Sequence, residues 1–471
     1  MPPAHRPSEP RPDTGATVGP DGGNDRRGGV TGALLVAVVA FAVQQTAIVP
    51  AVHDVQLALH GSQEWSSWLV TVYLMVATVA TPSLGRLGDL HGRRRMLLIG
   101  LWLFAIGSAG AAAAPDMALL IVARAVQGVG GAVYPLALAL ARDNVPQERE
   151  SRTISLLTGA FGVGTALGFV GGGLLAQYVS WRAIFGLGAA LVVAAALLIR
   201  RRVPADHGTA SGAYDLVGTV LMGISAVTLL AGLTLAAGLG WTSPVTVGLF
   251  FVAAAAAAVW VVHERRTRDP LIDLHLLKVR VVAVSNVATI GLGWCLFASY
   301  LLIPQFARAS ERSGYGLGAT AAIVGLLMLP LAVGQTVCGP VAGLLPMPPR
   351  AILAGGLLFL AAGTGCLAFV QHAWWALAGG ALLVGMGAGL GIQAGSSTVT
   401  RAVEPDVAAI SAAVNSTVRR LAGGVGGQTS TLLLVSLTVG AAPTFTAFRI
   451  AYLVAAGLAL LGAAVAAMAP S

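Results

Sequence analysis

Gly85-Arg86-Leu87-Gly88-Asp89-Leu90-His91-Gly92-Arg93-Arg94-Arg95 lies between two long apolar runs, 66–84 and 96–114. Each flanking run holds about 20 residues, enough at a rise of about 1.5 Å per residue to cross a hydrocarbon core of about 30 Å. The charged stretch therefore reads as a tight turn at a membrane surface. Gly85 and Gly92 permit close approach or a positive φ. Asp89 can accept hydrogen bonds from a helix N-terminus or pair with an arginine. Arg93, Arg94 and Arg95 hold the turn at the basic face.

Moving outward from that turn, the same alternation continues along the chain. Apolar stretches fall near 31–52, 66–84, 96–114, 118–140, 154–176, 183–199, 216–237, 245–262, 281–303, 318–338, 351–370, 375–396, 409–437 and 447–468, fourteen in all. In lipid every backbone N–H and C=O must be bonded within its own element, so these predict helices. A transmembrane barrel would instead show alternating strands of about ten residues. Composition agrees: hydrophobic residues make up 56% of the 471 and charged residues 10%. So few charges cannot coat a soluble globule of this size, which excludes a soluble enzyme, a disordered regulator and a disulfide-stapled module. Cys295, Cys338 and Cys366 stand in apolar runs without metal-ligand spacing and read as packing residues.

The net charge of +9 is assigned to loops on one side of the membrane rather than to nucleic acid. With the N-terminus inside, 21 of the basic residues fall in inner segments and four (Arg182, Arg308, Arg312 and Arg449) in outer ones. That asymmetry predicts cytoplasmic N- and C-termini. Residues 1–29, rich in Pro, Gly, Arg and Asp, read as a disordered cytoplasmic tail with no cleavable signal. Residues 30–202 read as a first six-helix bundle, 203–262 as a linker with two inserted helices, 263–280 as a cytoplasmic loop, and 281–471 as a second six-helix bundle. Repeated halves with a path between them are the plan of secondary transporters.

The turn after the second span resembles the signature of the major facilitator superfamily, G-x-L-x-D-r-x-G-r-r, in its expected place. The resemblance implies a latch that holds one half against the other, with Gly85, Asp89, Gly92, Arg93 and Arg94 as its parts. Leu90 stands where the family often has Arg. In span 4, Arg124-Ala125-Val126-Gln127-Gly128-Val129-Gly130 is similar to the family's R-x-x-Q-G-x-G, whose Arg is associated with proton coupling. Arg124 and Gln127 share a helix face, and a charge within a span needs a wet cavity or a polar partner. In span 5, Gly164, Gly168, Gly172 and Gly173 resemble the antiporter signature G-x-x-x-G-P-x-x-G-G, with Phe169 at the proline position. Glycines four apart open a groove for close helix contact.

Further features are similar to fourteen-span drug:proton antiporters. Span 1 carries Gln44 and Thr46 where that family usually has L-D-x-T. Span 2 keeps Trp68, Thr71, Tyr73 and Leu74. The linker holds Trp260, Glu264, Arg266, Pro270, Leu271, Asp273 and Leu274. Span 13 has Asn415, Arg419 or Arg420, and Gly423-Gly424. The resemblance implies an all-α membrane protein of the major facilitator fold that exports a drug-like amphipathic compound from a bacterial cell in exchange for protons, as a monomer and without a cofactor. Gln44 and Thr46, with Arg124 and Gln127, are the expected coupling or cavity residues.

The acidic residues complicate proton exchange, because none falls in the middle of a predicted span. The nearest candidates for a proton site are His53, Asp54 and Asp215, each near a span end. Gln45, Tyr134, Trp294, Tyr300, Gln305, Gln335 and Gln393 are further candidates for lining a cavity. The rival readings are an importing or uncoupled facilitator, a polytopic membrane enzyme and a sensor. No H-E-x-x-H, G-x-S-x-G or Walker P-loop supports an enzyme or direct ATP drive.

Overall fold

A computed structural model describes residues 20–208, 212–272, 274, 278–311, 314–403, 405–439 and 442–468; side chains are described there except at 20–28, 63, 64, 66, 67, 147, 151, 237, 405–410, 439 and 442. Asp273 and Arg312, named above, lie outside the described residues. The chain is helical almost throughout. The first half holds α1 (Pro20–Thr46), the short α2 (Val52–Ala58), α3 (Gln63–His91), α4 (Arg93–Ala113), α5 (Met117–Gly128), α6 (Val133–Asn144), α7 (Gln147–Tyr178) and α8 (Trp181–Arg202). The inserted pair is α9 (Leu216–Leu239) and α10 (Pro244–Arg266). The second half holds α11 (Arg280–Arg308), α12 (Ala321–Leu344), α13 (Pro349–Leu367), α14 (Trp374–Arg401), α15 (Pro405–Ser436) and α16 (Phe445–Ala467). A two-residue ladder, β1 (Thr438–Val439) against β2 (Ala442–Pro443), precedes α16.

Among the described residues, thirteen helical segments are long and apolar enough to cross a membrane. The remaining predicted span is α15. It is 32 residues long and carries Asn415, Arg419, Arg420 and Gln428. Its polar residues dilute its hydropathy because it packs between α3, α9, α11 and α14, where protein and not lipid surrounds it. All fourteen predicted spans are thus helices, as the apolar runs require.

Three boundaries differ from the sequence reading. The first helix begins at Pro20, so residues 20–29, assigned above to a disordered tail, extend the helix; residues 1–19 lie outside the described residues. Proline suits a first helical position, since its missing N–H would have no helical partner there. Span 4 is two helices joined by a 3₁₀ turn at Val129–Ala132, where Gly128, Gly130 and Gly131 lower the helix propensity. Third, α10 runs on through His263 to Arg266, so the assigned loop 263–280 starts inside a helix.

Arg86, Arg93–Arg95, Arg142, Arg200–Arg202, Arg265 and Arg266 sit at helix ends on one side of the bundle, here called the basic face. The halves meet along two seams, α7 against α12 and α3 against α15, and the inserted pair leans on the second seam through α9. Toward the far face, one apolar core runs across both halves, from Ile48, Leu69, Phe169 and Phe185 to Leu302, Phe306, Val324 and Phe448. Toward the basic face the first half has a further core around Leu34, Leu97, Leu140 and Ile199, which Phe297 of α11 joins. The large core common to both halves thus lies toward the far face, while toward the basic face a small cluster of Met222, Leu271, Ile272 and Val414, with Val79 packed against it, bridges α3, α9 and α15.

Candidate functional site

The glycines of α7 make the closest contacts. A Cβ at Gly164 would lie 2.9 Å from the Val39 carbonyl oxygen, one at Gly168 would collide with Thr46 and lie 2.6 Å from the Val43 oxygen, and one at Gly172 would collide with the Ala47 oxygen. All three neighbours belong to α1 or its end, so this stripe lets two backbones touch. Gly173 instead faces Ala321 of α12, and Gly325 of α12 faces the Phe169 carbonyl, which makes a reciprocal contact between the halves. Phe169 is fully buried, with its ring edge-on to Tyr300 at 5.5 Å, and α7 continues through it.

Thr46 donates to the Ala42 and Thr165 carbonyls at 2.9 and 3.2 Å. Gln44 donates to Ser108 Oγ at 3.2 Å, and Gln127 donates to the same oxygen at 2.7 Å. Arg124 donates to Gln127 Oε1 and to the Leu69 carbonyl, both at 2.8 Å, and its guanidinium carbon sits 4.6 Å over the Tyr73 ring. One polar chain thus links α3, α5, α4 and α1. The four residues expected at a cavity, Gln44, Thr46, Arg124 and Gln127, are each at most 2% exposed. They lie inside the first half, so Arg124 has met its polar partners in protein. Ser108, the hub, carried no signal in the sequence: a lone serine in a Gly/Ala-rich span looks like packing.

At the basic face, Asp89 accepts from Arg93 at 2.8 Å, and Arg93 reaches Asp143 at 2.7 Å. Arg94 donates to the Arg200 carbonyl at 2.7 Å. Gly92 has φ +101°, and a Cβ there would lie 2.7 Å from the Asp206 carbonyl oxygen. The Asp206 carboxylate accepts from the backbone N–H groups of Arg93 and Arg94, at 2.6 and 3.1 Å, and so caps α4 from the linker. Gly85 has open space around its Cβ position. Arg86 pairs with Asp269, in the loop leading to the second half, at 3.5 Å. Among the described contacts the motif therefore ties α3, α4, α6, α8 and the two linkers together. Asp206 was not foreseen, because a cap supplied from more than a hundred residues away leaves no local pattern. Replacing Asp206 with alanine removes a charged cap, which costs about 1 kcal/mol. Thermal unfolding of the detergent-solubilised protein should fall by only about 1 °C, because the unfolding entropy of a chain this long is large.

The three candidate proton sites separate. Asp54 pairs with Arg308 of α11 across the far face. His53 lines a cavity of about 290 Å³ beside them, with Gln56, Tyr300, Gln305 and Tyr315. Asp215 is buried at the basic end of α9, where it caps Gly218 and meets His263 Nε2 at 2.8 Å. Glu264, placed above in a loop, is only 2% exposed beside it. Asp215 Oδ2 and Glu264 Oε1 both lack a hydrogen-bond partner and both crowd the Cβ position of Gly218.

Between the halves, Gln428 donates to Thr71, and Arg420 donates to the Gly131 carbonyl at 3.1 Å. Tyr134 and Thr158 share a hydrogen bond at 3.1 Å, and Tyr134 is within electrostatic reach of Arg419. Tyr300 donates to Gln335 at 3.3 Å. Gln45, Tyr134, Trp294, Tyr300, Gln305, Gln335, Gln393, Arg419 and Arg420 all keep partial exposure within the bundle.

Residues 34–215 and 199–427 match the family described as the Major Facilitator Superfamily. The chain is 32% identical over 326 residues to an uncharacterized MFS-type transporter of Mycobacterium tuberculosis, covering 68% of this chain and 46% of that protein. It is 30% identical over 341 residues to the multidrug resistance protein Stp of the same species, covering 72% of this chain and 62% of that one. It is also 30% identical over 435 residues to the puromycin resistance protein of Streptomyces alboniger, covering 88% and 82%. The chain thus spans about half the length of the first of these and about three-fifths of the second.

Proposed function

The chain belongs to the major facilitator superfamily, and from that premise we propose that this multi-pass membrane transporter exports an amphipathic drug-like compound from a bacterial cell in exchange for protons. The observation that carries the reading is the asymmetry of the seam. The large core common to both halves lies toward the far face, whereas toward the basic face they meet through Phe297 and the small Val79–Val414 cluster, with part-exposed polar residues between them. The basic loops and both termini are cytoplasmic under the positive-inside bias, so this arrangement loads from the cytoplasm. The names of the resistance relatives support efflux.

In this cycle Asp89, Arg93, Arg94 and the turn glycines Gly85 and Gly92 hold or release the basic face. The far face is held by Asp54 with Arg308. Rocking the halves exchanges these two closures. The glycine stripe at 164, 168 and 172 keeps α1 and α7 moving as one body, and Gly173 meets the other half. Coupling passes through the buried Gln44–Ser108–Gln127–Arg124 chain. The proton is carried at Asp215 or at His53 and Asp54, since carriers in pumps are Asp, Glu or His. A second reading, an uncoupled facilitator, is favoured by one observation: an amide, Gln44, stands where a carboxylate would titrate.

Expression in a pump-deficient bacterial host tests both. Export predicts a raised inhibitory concentration for at least one amphipathic drug and lower dye retention. Adding an uncoupler should restore retention if protons drive the cycle. Asp89→Asn should lower the protection at equal protein level. Unchanged susceptibility to a broad drug panel sinks export, and efflux indifferent to the pH gradient sinks coupling.

A further inference from the structure

Arg419 and Arg420 occupy consecutive positions near the middle of α15, well inside the membrane-spanning length of a 32-residue helix. Each guanidinium has five N–H donors in a planar fork. Arg419 bonds Ser416 Oγ at 3.2 Å, and Arg420 bonds the Gly131 carbonyl at 3.1 Å. Neither forms an ion pair with a carboxylate among the described residues, and neither does Arg124. Tyr73 stands between Arg124 and Arg420, and its buried hydroxyl has no hydrogen-bond partner. Tyr134 stands beside Arg419. Two positive charges thus lie at mid-depth on the interface between the halves, with Arg124 behind Tyr73 inside the first half, and among the described residues tyrosines rather than acids pair with them. Arg124 is sealed at 1% exposure, whereas Arg419 and Arg420 keep partial exposure.

A charge at this depth is expensive unless it faces water, a counter-charge or a functional ligand. Low-dielectric walls focus the field of such a cluster, so it attracts one sign of solute and repels the other. Guanidinium forks also match the geometry of carboxylate and phosphate groups. We propose that the space between the halves binds an organic anion through Arg419 and Arg420, so that the exported compound is an amphipath bearing a carboxylate, phosphate or similar negative group. This rests on the export reading and names its substrate class. It also bears on energetics: one anion leaving and one proton entering move charge in the same electrical direction. An inside-negative membrane therefore drives both movements.

The test uses two dyes of the same xanthene skeleton, anionic fluorescein and cationic rhodamine 6G. Fluorescence anisotropy measures their binding to the purified full-length chain in detergent. Fluorescein should bind at least about tenfold more tightly than rhodamine 6G, and added salt should weaken it. Arg419→Gln and Arg420→Gln should each weaken fluorescein by about tenfold, with Arg419→Lys and Arg420→Lys recovering part of the loss. If rhodamine 6G binds as tightly, if fluorescein does not bind, or if both glutamine variants bind fluorescein like the parent, the proposal is overturned. The dye pair on the unaltered chain decides even where a variant does not fold. Reconstituted vesicles separate the two readings. Transport of rhodamine 6G with no preference for fluorescein leaves export standing and removes the anion. Transport of neither dye, with no drug protection in cells, removes export itself.

Discussion

On the proposed export reading, Arg124→Met should reduce efflux by an order of magnitude or more while leaving a folded protein. Arg124 is 1% exposed and bonds the Leu69 carbonyl and Gln127 Oε1. Methionine fills a similar length of apolar stem but offers no donor, so two buried acceptors lose their partner. Each such loss costs about 1–3 kcal/mol. Against this, the cation no longer has to be desolvated, a relief of comparable size. The two contributions oppose each other in stability, so the unfolding midpoint moves little. They do not oppose each other in function, because the link from α3 through α5 and Ser108 to Gln44 of α1 is cut. A tenfold fall in efflux corresponds to about 1.4 kcal/mol of lost coupling. Arg124→Lys keeps the charge but cannot serve two acceptors with a planar fork, so it should recover only part of the activity. The measurement is dye efflux normalised to membrane protein, with thermal unfolding alongside. Full efflux in Arg124→Met places the coupling route elsewhere.

Gly172→Val should yield no functional transporter. The Cβ would collide with the Ala47 carbonyl oxygen, a backbone atom that no rotamer change can move. Overpacking of a tight contact typically costs about 1–3 kcal/mol. Here the seam between α1 and α7 is continuous through Gly164 and Gly168, so relieving one collision displaces the whole contact. The control is one residue away: a Cβ at Gly171 meets nothing within 4 Å. Gly171→Ala should be neutral or slightly stabilising, because alanine exceeds glycine in helix propensity by about 1 kcal/mol. Detergent-solubilised monodispersity and efflux measured on the pair separate a specific collision from general intolerance of this helix. Wild-type behaviour of Gly172→Val would show that α1 and α7 stand further apart.

The resemblance at span 5 sets glycines beside Phe169 in place of proline, and the packing explains why the exchange is tolerated. Phe169 fills a buried position between the halves against Tyr300, and α7 crosses without a break. The glycines do the close packing irrespective of a kink. Burial of Glu264 is a different case. A glutamate followed by Arg265 and Arg266 looks like a solvated helix end, and only the approach of α9, with Asp215 at its cap, and of the following linker, whose Ile272 N–H bonds its carboxylate, takes it out of water.

The number and length of the spans, the bias of basic loops and the glycine stripe of α7 are written in the chain. Each is a local property that the bilayer reads directly, by hydropathy over about 20 residues or by spacing along one helix. The turn at 85–95 is legible for the same reason, since a charged segment between two spans must lie at a surface. Rotation and partnership are not local. Nothing in the order of residues says that Ser108 joins Gln44 to Gln127, that Asp206 caps α4, that Arg124 is sealed in the first half, or that Arg419 and Arg420 face the space between the halves. A helix in lipid satisfies its own backbone whichever way it turns. Its facing is settled only when neighbours from distant parts of the chain pack against it, and it is this facing that separates polar side chains sealed within one half from those left part-exposed between the two.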